Sequence, residues 1–388
     1  MEWKSVIIYL IAFMSTIGMT FIAENLFANT NKKKNASYIL AMAFSGLALL
    51  IPCTLAAMRD ISVGNDVMGY VYPNYIVAIK SSSFGEFLLL EYPKTEILFS
   101  VLLYWGGKLK NIGYIFFAIE LLILLPLYYV LYKRRKEASM TLGMMIYLFL
   151  FYNFGLSGMR QSIAMSFIML AYYYFSINER FRAIFWCIFA SLFHTSVLLV
   201  VPIYLFSLWI YRKPIRKRKK WYATIAMLFL LVFLFYRQIA GALAQIVGIV
   251  SRRYTYYISR YLQEYSGVVL GNIHSTDLLC KFALIILFIV VFKFANKYDD
   301  KVKYMVYLML IGRYFVVFNA VFYESLRIAY FFDYFLIVFI PCMMKCVKRD
   351  FLNRITFAIG IFIPVFLYWF YFIMKLGGYV TNIYIVRG

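Results

Sequence analysis

The sequence has few of the residues and motifs from which soluble enzymes build their sites. It contains two histidines among 388 residues, and 17 acidic residues against 40 basic ones. The Walker loop, the Gly-x-Gly-x-x-Gly turn and the Gly-x-Ser-x-Gly elbow are all missing. No polar segment is long enough to form a core of its own. These absences exclude the common soluble nucleotide-binding and hydrolase classes and leave no room for a soluble domain.

Cysteine is also sparse, and its positions do not follow a metal-binding pattern. The five cysteines lie in or beside apolar segments: Cys53, Cys187, Cys280, Cys342 and Cys346. We interpret them as small core residues and predict no disulfide framework. No Asp-x-Asp pair occurs in the segments that we assign below to the outer face. The sequence therefore implies neither a metal nor another cofactor.

Apolar residues, by contrast, are abundant. Hydrophobic residues make up 64% of the chain and aromatic residues 21%, and the mean hydropathy is +0.78. Apolar runs of about 20 residues recur along the chain, the helix length that crosses a hydrocarbon core of about 30 Å. Because these runs are continuous rather than alternating, they predict helices and not a barrel. The sequence predicts an all-α polytopic membrane protein, a single domain over residues 1–388 with about 10–12 transmembrane helices.

The net charge of +23 is explained by membrane topology rather than by a nucleic-acid partner. Most of the Lys and Arg residues lie in short loops between apolar runs, as the positive-inside rule requires. We therefore predict no nucleic-acid partner and expect contact with membrane lipids. Four basic clusters mark the cytoplasmic face: Lys32–Lys34, Lys133–Lys136, Arg212–Lys220 and Lys345–Arg354.

These clusters assign the apolar runs to spans, with both termini on the external side. The predicted spans are Ser5–Ala23, Ala36–Ala57, Ile112–Tyr132, Ser139–Ser157, Ser162–Ile177, Trp221–Ala240, Thr276–Phe294, Met305–Phe322, Ile328–Met344 and Ile355–Met374. Ala183–Tyr211 has basic clusters at both ends, so it is expected to form two short helices bent near Phe193–Ser196. Thr95–Lys108 is too short to span and is expected to be an interfacial or re-entrant helix. Two large external loops are expected at residues 58–94 and 241–275.

With this topology, the distinctive polar residues fall on the outer face. They are Arg59, Asp60, Asp66, Glu91, Glu96, Arg160, Gln161, His194, Arg252, Arg253, Arg260, His274, Glu324 and Arg327. Positive charge outside opposes the insertion bias. We therefore interpret at least some of these arginines as functional, and Arg160, between two apolar runs, as the clearest case.

Each of these residues also has a structural interpretation. Glu324 and Arg327 stand three apart on a helix and are placed to pair with each other. Arg160 is placed to cap local carbonyls or to extend to the interface. His194 fits a structural role as well as a catalytic one, and Arg252 and Arg253 fit a solvated loop face.

In the functional interpretation, the same residues bind one ligand together. Arginine holds phosphate oxygens bidentately and keeps its charge at any pH. Several arginines and a few carboxylates on one outer cavity suit a lipid diphosphate substrate. The cations would stabilise the departing diphosphate, and a carboxylate or His194 would take the proton of an attacking hydroxyl.

A series of short motifs adds a family resemblance. In chain order they are Arg59, Gly64, Asp66 and Tyr70; Glu96–Phe99; Arg160–Ala164; Phe193–Ser196 followed by Pro202; and Arg327–Phe331 before Pro341. In this order and spacing, over about residues 55–345, the chain resembles the EpsG/Wzy family of bacterial polysaccharide polymerases. It departs from the family pattern at Glu91-Tyr-Pro93, where Glu and Pro are commonly adjacent, so Glu96 is preferred to Glu91 as the acidic motif residue.

The resemblance implies a function and a fold. Members of that family join undecaprenyl-diphosphate-linked oligosaccharide units on the outer side of the bacterial inner (plasma) membrane, making O-antigen, capsule or exopolysaccharide. The donor and the acceptor would both be such lipid-linked units, and a chain-length-regulating co-polymerase is a further partner compatible with the sequence. The fold is expected to resemble the GT-C glycosyltransferases, with no nucleotide sugar, metal or other cofactor at the site.

In this hypothesis Arg59, Arg160 and Arg327 clamp the diphosphate and Arg252 and Arg253 assist. Gln161, Tyr70, Glu96 and Tyr330 complete the substrate site. The base, or the group that orients the acceptor, is Asp66, His194 or Glu324, and the sequence does not choose among them. The alternatives are a flippase or transporter of lipid-linked glycans, an outer-face acyltransferase, and a purely structural membrane scaffold.

Overall fold

The structure is a computed structural model that describes residues 2–29, 36–214, 300–318, 325–346 and 351–387, with individual residues between 220 and 238. The chain divides into two compact units. Unit 1 comprises Met1–Leu199, Leu279–Met305 and Tyr334–Gly388. Unit 2 comprises Val200–Leu278 and Val306–Asp333. Each unit is described separately below.

The regular elements in the described residues are helices. They are α1 (Trp3–Ala28), α2 (Ala36–Met58), α3 (Tyr72–Lys80), α4 (Phe84–Leu90), α5 (Ile97–Lys108), α6 (Ile112–Lys133), α7 (Met140–Tyr147), α8 (Asn153–Ser157), α9 (Met159–Ser176), α10 (Arg180–Ser191), α11 (Val197–Tyr211), α12 (Asp300–Phe318), α13 (Ser325–Asp333), α14 (Leu336–Cys346) and α15 (Phe351–Tyr368). Short π-helical turns occupy Val67–Val71, Leu148–Tyr152 and Trp369–Lys375. The predicted all-α architecture is confirmed.

Among the described residues, five helical segments are long and apolar enough to cross a membrane. They are Trp3–Ala28, Ala36–Met58, Ile112–Lys133, Met140–Ser157 and Ser325–Met344. Each coincides with a span predicted from the apolar runs, so the chain is a multi-pass membrane protein. The spans predicted at 221–240 and 276–294 lie wholly or largely outside the described residues, and the total number of spans stays a prediction.

The core of unit 1 is built around α6 and an aromatic cluster. Helix α6 packs against α2 and α9, while α1 packs against α2 and α7. Trp369 is fully buried and meets Tyr9, Phe13 and Phe149 with ring centroids 5.6–6.4 Å apart. Its indole N–H donates to Asn153 Oδ1 at 3.1 Å, so this buried polar atom is paired. The cluster fixes the α7–α8 segment, which leads to Arg160.

Two local predictions about short helices are confirmed. The apolar run 183–211 forms α10 and α11, joined by a turn at 192–196 that contains His194. The run 95–108 forms the twelve-residue helix α5. Its placement at an outer interface stays a prediction.

The stretch 58–94, predicted as a large external loop between spans, is largely helical, and its external placement stays a prediction. It contains the π-helical turn Val67–Val71 and helices α3 and α4. Val67, Val71, Tyr75 and Ala78 are buried, and their spacing of three or four residues is that of one helix face. Helix α3 packs on α5. Because these helices are short, their apolar face did not stand out as a run in the sequence.

Unit 2 carries a buried ion pair of its own. Arg313 Nη2 donates to Asp333 Oδ1, and both side chains are almost completely buried. Tyr204 donates its hydroxyl to the Phe331 carbonyl at 2.7 Å, which ties α11 to α13. Arg327 and Tyr330 lie on α13, where Arg327 is exposed and Tyr330 is buried.

Candidate active site

Arg160 lies in the first turn of α9, directly after a break in the helical backbone. Gly158 separates α8 from α9, with φ −80° and ψ 53°. A Cβ atom at Gly158 would lie 2.7 Å from the Phe154 ring, so a larger residue would force that ring to move. The break places Arg160 at a helix end, where its side chain leaves the apolar packing of α9.

The guanidinium of Arg160 forms an ion pair with Glu96. Nη1 donates to Glu96 Oε2 at 2.7 Å, and the two side chains are 23% and 13% exposed. Glu96 immediately precedes α5, so the pair joins the starts of two helices that are far apart in sequence. A largely buried pair of this geometry is a strong, charge-assisted contact.

The other oxygen of Glu96 faces the turn between α10 and α11. His194 Nδ1 lies 3.4 Å from Glu96 Oε1, and the backbone N–H of Thr195 donates to the same oxygen at 3.2 Å. Glu96 therefore connects Arg160 to the only histidine within the described residues.

The environment of Glu96 keeps its carboxylate ionised. Burial favours the neutral acid, but hydrogen bonding and charge from His194 and Arg160 outweigh burial and lower the pKa of Glu96 to about 2. At neutral pH, Glu96 is therefore a fixed anion between a guanidinium and an imidazole.

Tyr70 and Asp66 complete the arrangement around Arg160. The guanidinium carbon of Arg160 lies 4.4 Å from the centre of the Tyr70 ring, within cation–π distance. The Tyr70 hydroxyl donates to Asp66 Oδ2 at 2.9 Å. Burial raises the pKa of Tyr70, with a further contribution from Asp66, so the phenol remains protonated and acts as a donor. We call Asp66, Tyr70, Glu96, Arg160 and His194 the Arg160 cluster.

Arg59 lies beneath the Arg160 segment and is almost fully buried, with 1% exposure. Its Nη1 donates to the Leu156 carbonyl at 2.7 Å, and Nη2 lies 3.4 Å from Met159 Sδ. Its guanidinium stacks on Phe116 at 4.2 Å from the ring centre. In this position Arg59 holds the backbone just before Arg160, which differs from the clamping role expected from the sequence.

The segment that follows Arg59 packs against the same backbone. Gly64 adopts φ +101°, and a Cβ atom there would lie 2.4 Å from the Leu156 carbonyl oxygen. The next residue, Asn65, donates its backbone N–H to Ser157 Oγ at 3.2 Å. Glycine is required here for both its backbone conformation and the close approach.

The other site residues predicted from the sequence fall in different places. Gln161 is buried in α9, at 4% exposure. Arg327 and Tyr330 belong to unit 2, and Glu324, Arg252 and Arg253 lie outside the described residues. Glu91 is buried and accepts hydrogen bonds from Thr95 and Ser100, so it holds the turn before α5 while Glu96 faces Arg160.

Two groups that contribute to the site were not identified from the sequence. One is the Thr195 N–H, which is a backbone group and leaves no signal in the sequence beyond its position after His194. The other is the tail Thr381–Arg387, which reaches the Arg59 segment: Asp60 N donates to the Ile385 carbonyl at 2.8 Å, and Arg59 and Val386 form an antiparallel bridge. No apolar run or motif marks this tail.

The Arg160 cluster supplies a fixed cation, a fixed anion, an imidazole and a phenol in one place. A guanidinium has five N–H donors, so Arg160 can hold Glu96 and still donate to an oxyanion. In the part of the chain that the structure describes, no group of three or more His, Cys, Asp or Glu side chains is placed to hold a metal ion. The chemistry available from these residues is anion binding and proton transfer.

Comparison with known proteins identifies a family. The family model described as the EpsG family matches residues 42–384, which includes every member of the Arg160 cluster. No curated protein matches, and neither does any solved structure. Because the match spans most of the 388 residues, the chain belongs to the EpsG family, the family of Wzy-type polysaccharide polymerases.

Proposed function

We propose that this protein joins undecaprenyl-diphosphate-linked oligosaccharide units into a polysaccharide at the outer face of the bacterial inner membrane. The observation that supports this most directly is the convergence of Arg160, Glu96 and His194, from three separate helix starts and turns. The EpsG family supports the activity at the level of a polysaccharide polymerase. A GT-C-like architecture is part of the same proposal.

Arg160 binds the diphosphate of the donor in this proposal. During transfer, the acceptor hydroxyl oxygen bonds to the anomeric carbon of the donor sugar. The bond from that carbon to the diphosphate oxygen breaks, and its electron pair leaves with the lipid diphosphate. The guanidinium stabilises this growing charge, the type of contact that contributes most to catalysis of such steps.

His194 is the best placed base for the acceptor hydroxyl. Glu96 faces Nδ1, so Nε2 is the nitrogen that remains to accept a proton. A carboxylate that orients a histidine through Nδ1 and stabilises the imidazolium is an established arrangement for general-base catalysis. Asp66 already accepts the Tyr70 hydroxyl, so we assign it to positioning Tyr70 under Arg160.

The remaining predicted residues take secondary roles. Arg59 supports the backbone before Arg160 through the Leu156 carbonyl. Gln161 is proposed as part of the substrate site. The substrate-binding roles expected of Arg327, Tyr330, Arg252 and Arg253 stay predictions from the sequence.

The test is the glycan ladder made by Arg160→Gln in a strain that lacks the native gene. We expect long chains to fall by about a hundredfold or more, as for the loss of one oxyanion-stabilising donor, and lipid-linked single units to accumulate. Arg182→Gln removes the same charge from an exposed pair with Glu179 and serves as the matched control. A normal ladder from Arg160→Gln, at normal abundance in the membrane, would contradict the proposal.

A further inference from the structure

A second charged site lies at the opposite end of unit 1 from Arg160. Arg134, just after α6, donates to Ser176 Oγ at 2.7 Å, at the last residue of α9. Arg160 starts the same helix, so the two ends are about 24 Å apart at a rise of 1.5 Å per residue. Arg135 and Lys136, which follow Arg134 in the chain, line a cavity of about 850 Å³. This cavity is separate from the Arg160 cluster.

The cavity is formed where three membrane-spanning segments end or begin. Its wall includes the last turns of α1, the residues that follow α6 and the first turn of α7. The ends of spanning helices lie at the depth of lipid headgroups. The adjacent basic cluster predicts that this end faces the cytoplasm.

The lining combines charges of both signs with an apolar wall. Glu24, Arg135 and Lys136 supply the charges, and Phe21, Leu142 and Met145 supply apolar surface. Phe21 is exposed at 58%, which suits contact with an acyl chain. The cavity therefore has a charged part that can bind a headgroup and an apolar wall that can contact acyl chains, as phospholipid binding requires.

Glu24 is held with one carboxylate oxygen engaged. Ser139 Oγ, Thr141 N and Thr141 Oγ1 all donate to Oε2, at 2.9, 2.9 and 2.6 Å. Within the described residues, none of these donors reaches Oε1. Arg135 is also fixed, because Nη1 donates to the Tyr132 carbonyl at 2.9 Å and the guanidinium stacks on the Tyr132 ring at 4.2 Å. Both charges are therefore held in place before a ligand arrives.

We propose that this cavity binds a phospholipid whose headgroup carries a phosphate and a primary ammonium group, of the phosphatidylethanolamine class. Arg135 and Lys136 bind the phosphate, and Glu24 Oε1 accepts from the ammonium. A headgroup that carries only negative charge would be repelled by the Glu24 carboxylate. A choline headgroup has no N–H to donate. Of the two common zwitterionic headgroups, only the ethanolamine one both presents a phosphate to the basic pair and donates an N–H to Glu24.

The test is native mass spectrometry of the purified full chain, released from nanodiscs of equal parts phosphatidylethanolamine, phosphatidylglycerol and phosphatidylcholine. We expect the ethanolamine lipid to be retained in preference to the other two. Glu24→Gln should reduce that retention several-fold and leave phosphatidylglycerol retention unchanged or higher. It keeps an oxygen that accepts from Ser139 and Thr141, so the fold should persist. Lys136→Gln, at an exposed side chain, should reduce retention of both phosphatidylethanolamine and phosphatidylglycerol.

Glu137→Gln is the matched control, because it removes a carboxylate from the same turn that does not line the cavity and is 60% exposed. It should retain lipids as the unaltered protein does. Equal retention of the three lipids, a preference for phosphatidylglycerol, or identical behaviour of Glu24→Gln and Glu137→Gln would overturn the proposal. None of these outcomes depends on the polymerase activity.

Discussion

Glu96 is the residue through which separate parts of unit 1 meet. One of its oxygens contacts Arg160 and the other faces His194 and Thr195. A single carboxylate therefore lies between the proposed diphosphate-binding cation and the proposed general base. Replacing Glu96 removes its contacts with both Arg160 and His194, whereas replacing Arg160 or His194 removes only one of these contacts.

The lowered pKa of Glu96 predicts a pH-dependent contribution to stability. A carboxyl group whose folded pKa is depressed stabilises the fold above its unfolded pKa of about 4.3, and this contribution is lost as the pH falls toward the folded value. Here the folded value is about 2. We expect the unaltered protein to exceed Glu96→Gln in thermal stability by a constant amount above about pH 5, and the difference to shrink between about pH 4 and 2.

Thermal unfolding of both proteins in detergent, followed across this pH range, is the measurement. Glu179→Gln, at an exposed carboxylate, controls for the loss of one negative charge. A stability difference that does not change down to pH 2 would show that the Arg160 and His194 contacts do not depress the Glu96 pKa.

Sequence motifs named the residues of the cluster but not their contacts. Asp66, Tyr70, Glu96, Arg160 and His194 were all predicted from residue type and order, and the structure brings them together. The role of Arg59 could not be predicted in the same way. Whether an arginine faces a cavity or a buried carbonyl depends on its tertiary neighbours, and the Leu156 carbonyl is 97 residues away.

At the scale of elements, the site depends on the close packing of two backbone segments. The 59–66 segment lies against the break between α8 and α9, with Gly64 over the Leu156 carbonyl. The first segment carries Asp66 and leads to Tyr70, and the second leads to Arg160. Their packing therefore sets the distance between Tyr70 and Arg160.

Gly64→Ala should destabilise the protein and reduce polymer formation. The added Cβ atom would meet a backbone oxygen at 2.4 Å, and the φ of +101° is strained for any residue with a side chain. We expect a loss of about 2 kcal/mol or more in the free energy of unfolding. Gly69→Ala, in the following π-helical turn, meets no atom within 4 Å and is the control.

Purified variants compared by thermal unfolding, together with their glycan ladders, would check this. Equal stability of Gly64→Ala and Gly69→Ala would mean that the two backbone segments do not pack as described.

The spanning helices were predictable because each is a long apolar run, a local property of the sequence. The short helices between residues 67 and 90 were not, because each contributes only one or two turns to a shared core. Their apolar positions become visible as a face only once α5 is packed against α3.

At the scale of the molecule, the tail Thr381–Arg387 joins distant parts of unit 1. Tyr9 donates to the Thr381 carbonyl at 2.9 Å and Asn153 donates to Thr381 Oγ1 at 3.0 Å. The backbone N–H of Tyr384 donates to Ser5 Oγ at 2.8 Å. Together with the bridge to Arg59, these bonds connect α1, α2, α8 and the tail.

Deletion of residues from Thr381 onward should weaken unit 1 and disturb the Arg160 cluster without removing a spanning helix. Each lost buried hydrogen bond costs about 1 kcal/mol, and the buried Asn153 amide loses a partner. We expect a lower unfolding temperature and a strongly reduced ladder. Ile383→Ala, at an exposed side chain in the same tail, should behave as the unaltered protein. A full ladder from the truncated chain would show that the tail is dispensable.

The position of this tail sets an order on biogenesis. Arg59 is synthesised early, yet its backbone bridge partner, Val386, emerges more than three hundred residues later. Until then, Arg59 and Asp60 lack their backbone partners Val386 and Ile385, in a chain whose preceding helices have already been made. A chain truncated before Thr381 would therefore carry every side chain of the Arg160 cluster but lack the backbone bridge that Arg59 makes with Val386.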